Sequence, residues 1–368
     1  MSGPPPALRA RWVAIAGCAP SAHNTQPWLP RLTASGVLLA VDRSRTLPEA
    51  DPTHEDLHLS LGCWLEALAI AARASGWELR MRSTEGSGPD LTVECAFVPA
   101  DGPGDFSVAE LRARRVDRGR LAAAERALET AFAKAAVLVP GTVITAVPEP
   151  LFSALRTQAS THVLSSPEMA AETLRWLRLD PHDTASDGLS AECLRLPRAV
   201  RVLAPLAGAR TSPRTARLLA RTQPLARTAL TAVDDLGTVP GLRTLRSAAG
   251  RLHPPPTRIV LSTRADPVRP DSPAASAEVG LRQGRELLRL WLVLARHGLR
   301  VAVHSELKDC PDTRARLSGH LARRGQPDGP YAVFSVGRSV SDPPRSRRLP
   351  APALTPGSDG GALSPDGA

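Results

Sequence analysis

Two stretches of this chain repeat one succession of apolar and polar positions. In the first, the strand-length run Gly36-Val37-Leu38-Leu39-Ala40-Val41 gives way to a polar loop and then to the apolar segment Gly62 to Ala72. In the second, Arg258-Ile259-Val260-Leu261-Ser262 is followed by a polar loop and by Gly284, Leu287, Leu288, Trp291, Leu292 and Leu294. Both long segments carry apolar residues on more than one helical face, which predicts two deeply buried helices. Gly76 and Gly298 suit the left-handed position that ends such helices. Gly62 and Gly284 are 222 positions apart, and so are Gly76 and Gly298. Each copy continues into strand-like segments, Trp77 to Arg82 and Leu91 to Val98 in one, Leu299 to His304 and Tyr331 to Val336 in the other. The pattern predicts an α+β protein with two similar units in one chain.

The units are expected to span residues 1–110 and 111–350. A helical region at about 165–252 lies within the second. It includes a helical pattern from Pro167 to Leu179 and an arginine face at Arg210, Arg214, Arg217 and Arg221, read as a solvated face, a lid or an anion-attracting rim. Residues 351–368 are rich in Pro, Gly and Ser and are expected to be disordered.

Composition narrows the possibilities. With 42% hydrophobic and only 3% aromatic residues, the core of this 368-residue chain must be built mainly from Leu, Val and Ala. The five cysteines are scattered without CxxC spacing, so neither a zinc site nor a disulfide framework is expected. No signal-peptide pattern and no long apolar run stand out, which leads to the expectation of a cytoplasmic protein without a membrane span. The formal charge of +10 admits nucleic acid as a partner. Against that, lysine occurs only at Lys134 and Lys308, and few aromatics are available to stack on bases.

The richest local signal is Pro20-Ser21-Ala22-His23-Asn24-Thr25-Gln26-Pro27-Trp28. It follows an apolar segment, Trp12 to Cys18, that reads as a helix end, and it leads into a probable strand. Pro20 stops the helix, while Ser21 and Asn24 suit a tight turn. Such a loop offers hydroxyl, amide and backbone donors in a short arc, suited to a flat, polar-edged ligand. The segment resembles the P-S-x-x-N-x-Q-P-W signature of the FMN-dependent nitroreductase superfamily. That resemblance implies a loop crossing from one subunit to touch a flavin held mainly by the other.

Two basic clusters stand apart from this loop. Arg112-Ala113-Arg114-Arg115-Val116-Asp117-Arg118-Gly119-Arg120 precedes a predicted helix, where the helix dipole disfavours cations unless an external anion intervenes. Arg345-Ser346-Arg347-Arg348 lies near the end of the chain. The first cluster resembles the R-R-S-x-R motif that opens the nitroreductases, and the second their P-K-S-R-L segment. The resemblance implies FMN-binding roles for Pro20, Ser21 and Asn24 in the loop and for Arg114, Arg345 and Arg347 near the phosphate. It implies Arg118 near the flavin pyrimidine edge, and Ser305, in His304-Ser305-Glu306, near flavin N5. Val116 stands where the family has a phosphate-binding Ser, a departure that the extra Arg can offset.

The order of the motifs implies one site. The loop lies in the first unit and both clusters lie in the second, while Ala136 to Gly141 occupies the place of a second loop. This resembles the Acg-like branch, whose single chains imitate the family homodimer: two α/β units, each a mostly antiparallel sheet flanked by helices. A monomer with one FMN is expected. The function implied is NAD(P)H oxidation with hydride transfer through flavin N5 to a nitroaromatic, a quinone or a similar acceptor. The alternative is an FMN-sequestering protein without efficient turnover, and the third reading is an Arg-rich nucleic-acid-binding protein. No catalytic side chain and no metal are required, because the chemistry belongs to the flavin. His23 reads as a polar spacer.

Overall fold

The computed structural model describes residues 3–34, 36–180, 182–196, 254–264 and 272–350. The arginine face at 210–221 and the tail at 351–368 lie outside them. The described residues form a mixed α+β structure with nine α-helices and antiparallel main sheets.

The first sheet follows α1 (Pro6–Ala16) and contains β1 (Trp28–Leu32), β2 (Gly36–Val41), β3 (Trp77–Glu85) and β4 (Thr92–Pro99), in the order β1-β2-β4-β3. Between β2 and β3 runs α2 (Glu55–Arg73). Then come α3 (Val108–Ala113), the short β5 (Leu121–Ala122), α4 (Glu125–Leu138), β6 (Thr142–Ala146), α5 (Glu149–Ser165), α6 (Pro167–Arg175), β7 (Leu177–Arg178) and β8 (Leu189–Ser190). The remaining elements are β9 (Thr257–Thr263), α7 (Pro273–Arg296), β10 (Arg300–Val303), α8 (Glu306–Asp309), α9 (Pro311–Ala322) and β11 (Pro330–Ser339). The second sheet has the order β10-β11-β9-β6, with β5 added to the edge of β11. Read from β6, its strands follow the order first, second, fourth, third, which is also the order of the first sheet. In each sheet the long helix connects the second strand to the third.

Those two helices pack on each other and form the centre of the molecule. Their predicted all-round apolarity has this cause: α2 is covered by α1 and β3 on one side and by α7 on the other. The crossing is reciprocal. A Cβ on Gly62 would lie 2.1 Å from the Leu281 carbonyl oxygen and 2.8 Å from Gly284 Cα. A Cβ on Gly284 would lie 2.2 Å from the Leu59 carbonyl oxygen and 2.9 Å from Gly62 Cα. Cys63 Sγ donates to the Gly284 carbonyl at 3.1 Å. Residue against residue, the contact has the self-complementary form of a two-fold interface, here within one chain. The two helix-ending glycines take the expected positive φ, +80° at Gly76 and +71° at Gly298.

The helical pattern expected to reach Leu179 stops sooner, because α6 ends at Arg175 and the chain enters β7. Gly188, with φ of +69°, then returns it into β8, parallel to β7. No described helix is long and apolar enough to cross a membrane.

Candidate functional site: an arginine-lined cavity

The loop after α1 is held in a costly conformation. His23, Asn24 and Gln26 have φ of +46°, +57° and +56°, which only Asn tolerates readily. Each such residue costs about 1–3 kcal/mol and persists only where its surroundings fix it. Here they do. Ser21 Oγ accepts from the Gln26 amide at 2.9 Å, and the Ala22 amide donates to Ser60 Oγ at 3.2 Å. Asn24 Nδ2 donates to the carbonyls of Gly188 and Arg347, each at 3.1 Å, while its Oδ1 accepts from Arg348 Nη1 at 2.7 Å. Gln26 Nε2 donates to the Ser186 carbonyl at 2.9 Å, and its Oε1 accepts from the Leu349 amide at 2.9 Å. The loop thus clamps two distant segments, 186–188 and 347–349, around a cavity of about 310 Å³.

One neighbourhood of that cavity is crowded with cations. Arg114, Arg115, Arg345 and Arg348 all reach it, and none has a carboxylate partner among the described residues. The guanidinium of Arg114, a residue 7% exposed, has a single hydrogen bond, to the Cys18 carbonyl at 3.5 Å. Arg348 shares that carbonyl at 3.4 Å, and Arg345 Nη2 lies 3.9 Å from Cys18 Sγ. The Nε atoms of Arg114 and Arg348 are buried without an acceptor. Burial, then the nearby Arg348, lowers Arg114 to about 9, and burial, with Arg345 adding to it, lowers Arg348 to about 10. Arg114 is buried, Arg115 and Arg348 are half-buried and Arg345 is exposed at the rim; like charges gathered around a buried guanidinium are unfavourable until an anion lies among them, and guanidinium forks suit phosphate. The indole of Trp291 lies under Arg114, 5.6 Å from ring centroid to guanidinium carbon.

Arg118 belongs to a second neighbourhood. It makes no hydrogen bond or ion pair with a described residue, and its charge is felt by His23 and faces Glu306 and Cys193. His23 Nδ1 is buried without a partner, and burial, then Arg118, lowers the imidazole to about 4, so the ring is neutral at pH 7. Ser60, Ser305, Asp56, Glu306 and Lys308 share this part of the wall. The wall also has an apolar share, with Leu59, Cys63, Leu287, Trp291 and Phe334 among others. Thr173, Leu177, Leu189 and Leu194, from the described part of the 165–252 region, also line it.

Of the residues singled out in the sequence, Pro20, Ser21, Asn24, Arg114, Arg118, Ser305 and Arg345 meet at this cavity. Arg347 does not. Its guanidinium donates to the Asp183 and Ala185 carbonyls on the outer side. Ser346 and Arg348 are half-buried, whereas Arg345 and Arg347 are exposed, and of these two only Arg345 borders the cavity. The motif itself held the clue, since its Arg directly precedes Leu, as Arg348 precedes Leu349. The first cluster does not oppose a helix dipole, contrary to the expectation from its sequence position. Arg112 and Arg114 stand at the C-terminal end of α3, where cations are favoured, and β5 intervenes before α4. The missing carboxylates, not the dipole, make this cluster unusual. Sequence reasoning passed over Trp291, Asp56 and Lys308, although Lys308 is one of only two lysines among 46 basic residues.

A second cavity, of about 580 Å³, stands in a simple relation to the first. Glu278, Arg282 and Arg285 on its wall follow Asp56, Ser60 and Cys63 of the first by 222 positions. Met81, Ser83 and Thr84 precede Val303, Ser305 and Glu306 by the same interval. Leu138 and Pro140, from the Ala136–Gly141 segment, border it as Cys18 and Pro20 border the first. Its chemistry is different. Arg285 and Arg289 bind Glu66 at 2.9 and 3.0 Å, and Arg289 also binds Asp105 at 2.6 Å. No buried polar atom without a partner, among the described residues, lies on this wall.

No family model matches the chain. Two curated relatives from strains of Mycobacterium tuberculosis, the uncharacterized proteins Rv3127 and MT3212, are each 36% identical to it over 95 residues. That stretch is 24% of this chain and 27% of each relative, so the chain matches about a quarter of their length.

Cys18 offers a direct report on the arginine neighbourhood. Cys63, Cys95 and Cys310 are buried, leaving Cys18 and Cys193 half-buried. Iodoacetate, an anion, is expected to label Cys18 several-fold faster relative to neutral iodoacetamide than it labels a free cysteine peptide, by peptide mass spectrometry. Bound FMN is expected to suppress the Cys18 labelling. Equal ratios would show that the arginine charge does not reach the thiol.

Proposed function

We propose that the chain binds one FMN in the arginine-lined cavity and acts as an oxidoreductase of nitroreductase type. It would pass reducing equivalents from NAD(P)H to a nitroaromatic, quinone or similar acceptor. The observation that carries this reading is the set of cations without counter-ions, Arg114, Arg118, Arg345 and Arg348, grouped on a cavity walled by the Pro20–Asn24 loop.

The residues present fit the cofactor. The orphaned nitrogens of Arg114 and Arg348 suit a phosphate, the apolar part of the wall suits a ring system, and Arg118 suits the charge that reduced flavin gathers along its pyrimidine edge. FMN supplies hydride transfer when bound, and the protein's part is to hold, orient and shield it. Asn24 contributes indirectly, since its amide is spent on Gly188, Arg347 and Arg348. The reciprocal Gly62–Gly284 crossing and the matching strand orders favour two nitroreductase-like units, joined within one chain and active as a monomer. The ion-paired second cavity favours one FMN per chain rather than two.

Thr173, Leu177, Leu189 and Leu194 on the wall favour a second reading, an FMN-binding protein that shields the cofactor and turns over poorly. Inward-facing arginines speak for a small ligand over nucleic acid, which needs a basic outer surface.

Titrating the apoprotein with FMN should give a yellow complex saturating at one equivalent, and NAD(P)H without oxygen should bleach it. Two equivalents would overturn the single-site argument. A yellow protein that does not bleach would select the shielding reading, and absence of binding would remove both. For the intramolecular site, a chain carrying Ser21→Ala with Asn24→Ala should not be rescued by one carrying Arg114→Ala with Arg118→Ala. Recovery on mixing would show a site formed between chains.

A further inference from the structure

Beside the cavity, acidic groups outnumber the cations available to them. Lys308, whose side chain is 1% exposed, has its Nζ 2.5 Å from Asp309 Oδ1, 3.0 Å from Asp56 Oδ1 and 3.9 Å from Glu55 Oε2. Glu55 is taken by Arg314, whose two terminal nitrogens bind its carboxylate at 2.7 and 2.8 Å. Asp51, 4% exposed, accepts from the amides of Asp56 and Leu57 at the start of α2 and faces Asp56. Glu306 and His23 complete the surroundings, with Arg118 beyond them.

Three carboxyl groups, Asp51, Asp56 and Asp309, are therefore left with one ammonium in direct contact, while Arg314, held by Glu55, acts on Asp309 from farther off. Fully ionised, this group would bury an excess negative charge, which low-dielectric surroundings oppose; retaining a proton removes much of that cost. Burial, then Asp56, pushes Asp51 up to about 7, and the same two causes raise Asp309 well above the usual range. Lys308 is raised by Asp56 and Asp309 against the effect of its burial, so the ammonium remains charged and the proton sits among the acids. Asp56 and Lys308 line the cavity, whereas Asp51 and Asp309 lie behind them. On the same wall, the buried and unpartnered Nδ1 of His23 marks a place where a ligand's polar atom is expected, and neutral His23 brings no cation to discharge the acids.

We propose that Asp51, Asp56, Lys308 and Asp309 form a buried proton store that opens on the cavity through Asp56 and supplies the proton that completes reduction of a bound acceptor. The inference rests on the oxidoreductase reading above. Two-electron reduction of a quinone adds one hydride, originating from NAD(P)H, and leaves an oxyanion. The proton held among the three acids is handed on at Asp56, the member on the cavity wall: its O–H bond within the cluster breaks, a new O–H bond forms on the oxyanion, and the cluster is reprotonated from water. Hydride plus proton converts the quinone to the hydroquinone, and NAD(P)H is oxidised to NAD(P)⁺. Asp51 acts as a positioning residue, holding a share of the proton behind Asp56 without reaching the cavity.

Infrared spectroscopy of the full chain, before any cofactor is added, tests the store. At pH 7 the wild-type protein should show a protonated-carboxyl carbonyl stretch that fades by pH 9. Asp56→Asn and Asp51→Asn should each lose it, because two acids facing one ammonium no longer need the proton. Lys308→Met should strengthen it and extend it to higher pH. A band absent from the wild type, or unchanged in Asp56→Asn, overturns the proposal. FMN titration then separates it from the reading beneath it. A colourless wild type removes that reading and proton supply with it. If FMN binds, Asp56→Asn should bind it within about twofold of wild type yet reduce menadione at least tenfold more slowly, in line with loss of a general acid. Asp51→Asn should move the pH profile rather than abolish turnover. Unchanged menadione reduction in Asp56→Asn, or a wild type that binds FMN without reducing menadione, overturns the assignment.

Discussion

Arg348→Ala is expected to weaken FMN binding by about ten- to a hundredfold, and Arg347→Ala to change it by less than about threefold. A hydrogen bond to a charged group is worth roughly 1.5–3 kcal/mol, which sets the range. The neighbours have the same charge and differ by one position, so composition and long-range electrostatics cannot separate them. Local geometry does, because Arg348 lies on the cavity wall and Arg347 bonds outward to carbonyls of the 183–185 segment. Arg114→Ala should resemble Arg348→Ala. The unliganded protein supplies a second, opposite readout. Removing one of several crowded guanidiniums relieves repulsion, so Tm without FMN should hold steady or rise for Arg114→Ala, while the Tm increase produced by FMN shrinks. Loss of stability equal to wild type's entire FMN gain, with affinity unchanged, would mean that these arginines are structural. Arg348→Lys should fall between, since it keeps the charge and loses the fork.

Much of the architecture was legible in the sequence because it is written in periodicity. Helices apolar on every face must be covered on every face, which calls for a central pair enclosed by sheets, and their glycine terminators fix where they stop. The interval of 222 positions found from four glycines also relates residues on two cavity walls that the sequence alone did not pair. Failures arose where a tertiary partner decides the outcome. Arg347 and Arg348 are equivalent in composition and differ in what their side chains meet, outward carbonyls in one case and the cavity in the other. Asn24 lines the cavity, but that its amide also ties three segments together is invisible in the spacing. Asp51, Asp56 and Asp309 are ordinary surface-type residues by spacing, and only the folding of α8 against the start of α2 brings them around Lys308. No periodic signal encodes that meeting.

The crossing of α2 and α7 should tolerate no side chain. Gly62→Ala and Gly284→Ala are each expected to lower stability by about 2–3 kcal/mol, enough to lower Tm by several degrees. The sign is informative because the intrinsic preference points the other way, alanine in a helix interior being favoured over glycine by roughly 1 kcal/mol. At this crossing the new Cβ would meet main-chain atoms, the carbonyl oxygen of Leu281 in one case and of Leu59 in the other. No side-chain rotation relieves such a clash, so the helices must separate and break the Cys63 Sγ to Gly284 hydrogen bond. Gly319→Ala in α9 is the control. Its nearest neighbour is the terminal nitrogen of Arg323 at 3.4 Å, and it should be neutral or slightly stabilising. The double variant Gly62→Ala with Gly284→Ala should cost less than the sum of the singles, because the first methyl already opens the space the second requires. Separation should reach the cavity as well, since Ser60 and Cys63 on α2 face Leu287 and Trp291 on α7 across its wall. FMN affinity should therefore fall together with stability in both single variants. A stabilised Gly62→Ala protein would mean that the helices do not meet at these glycines, and the two-fold relation between the cavities would fall with that contact.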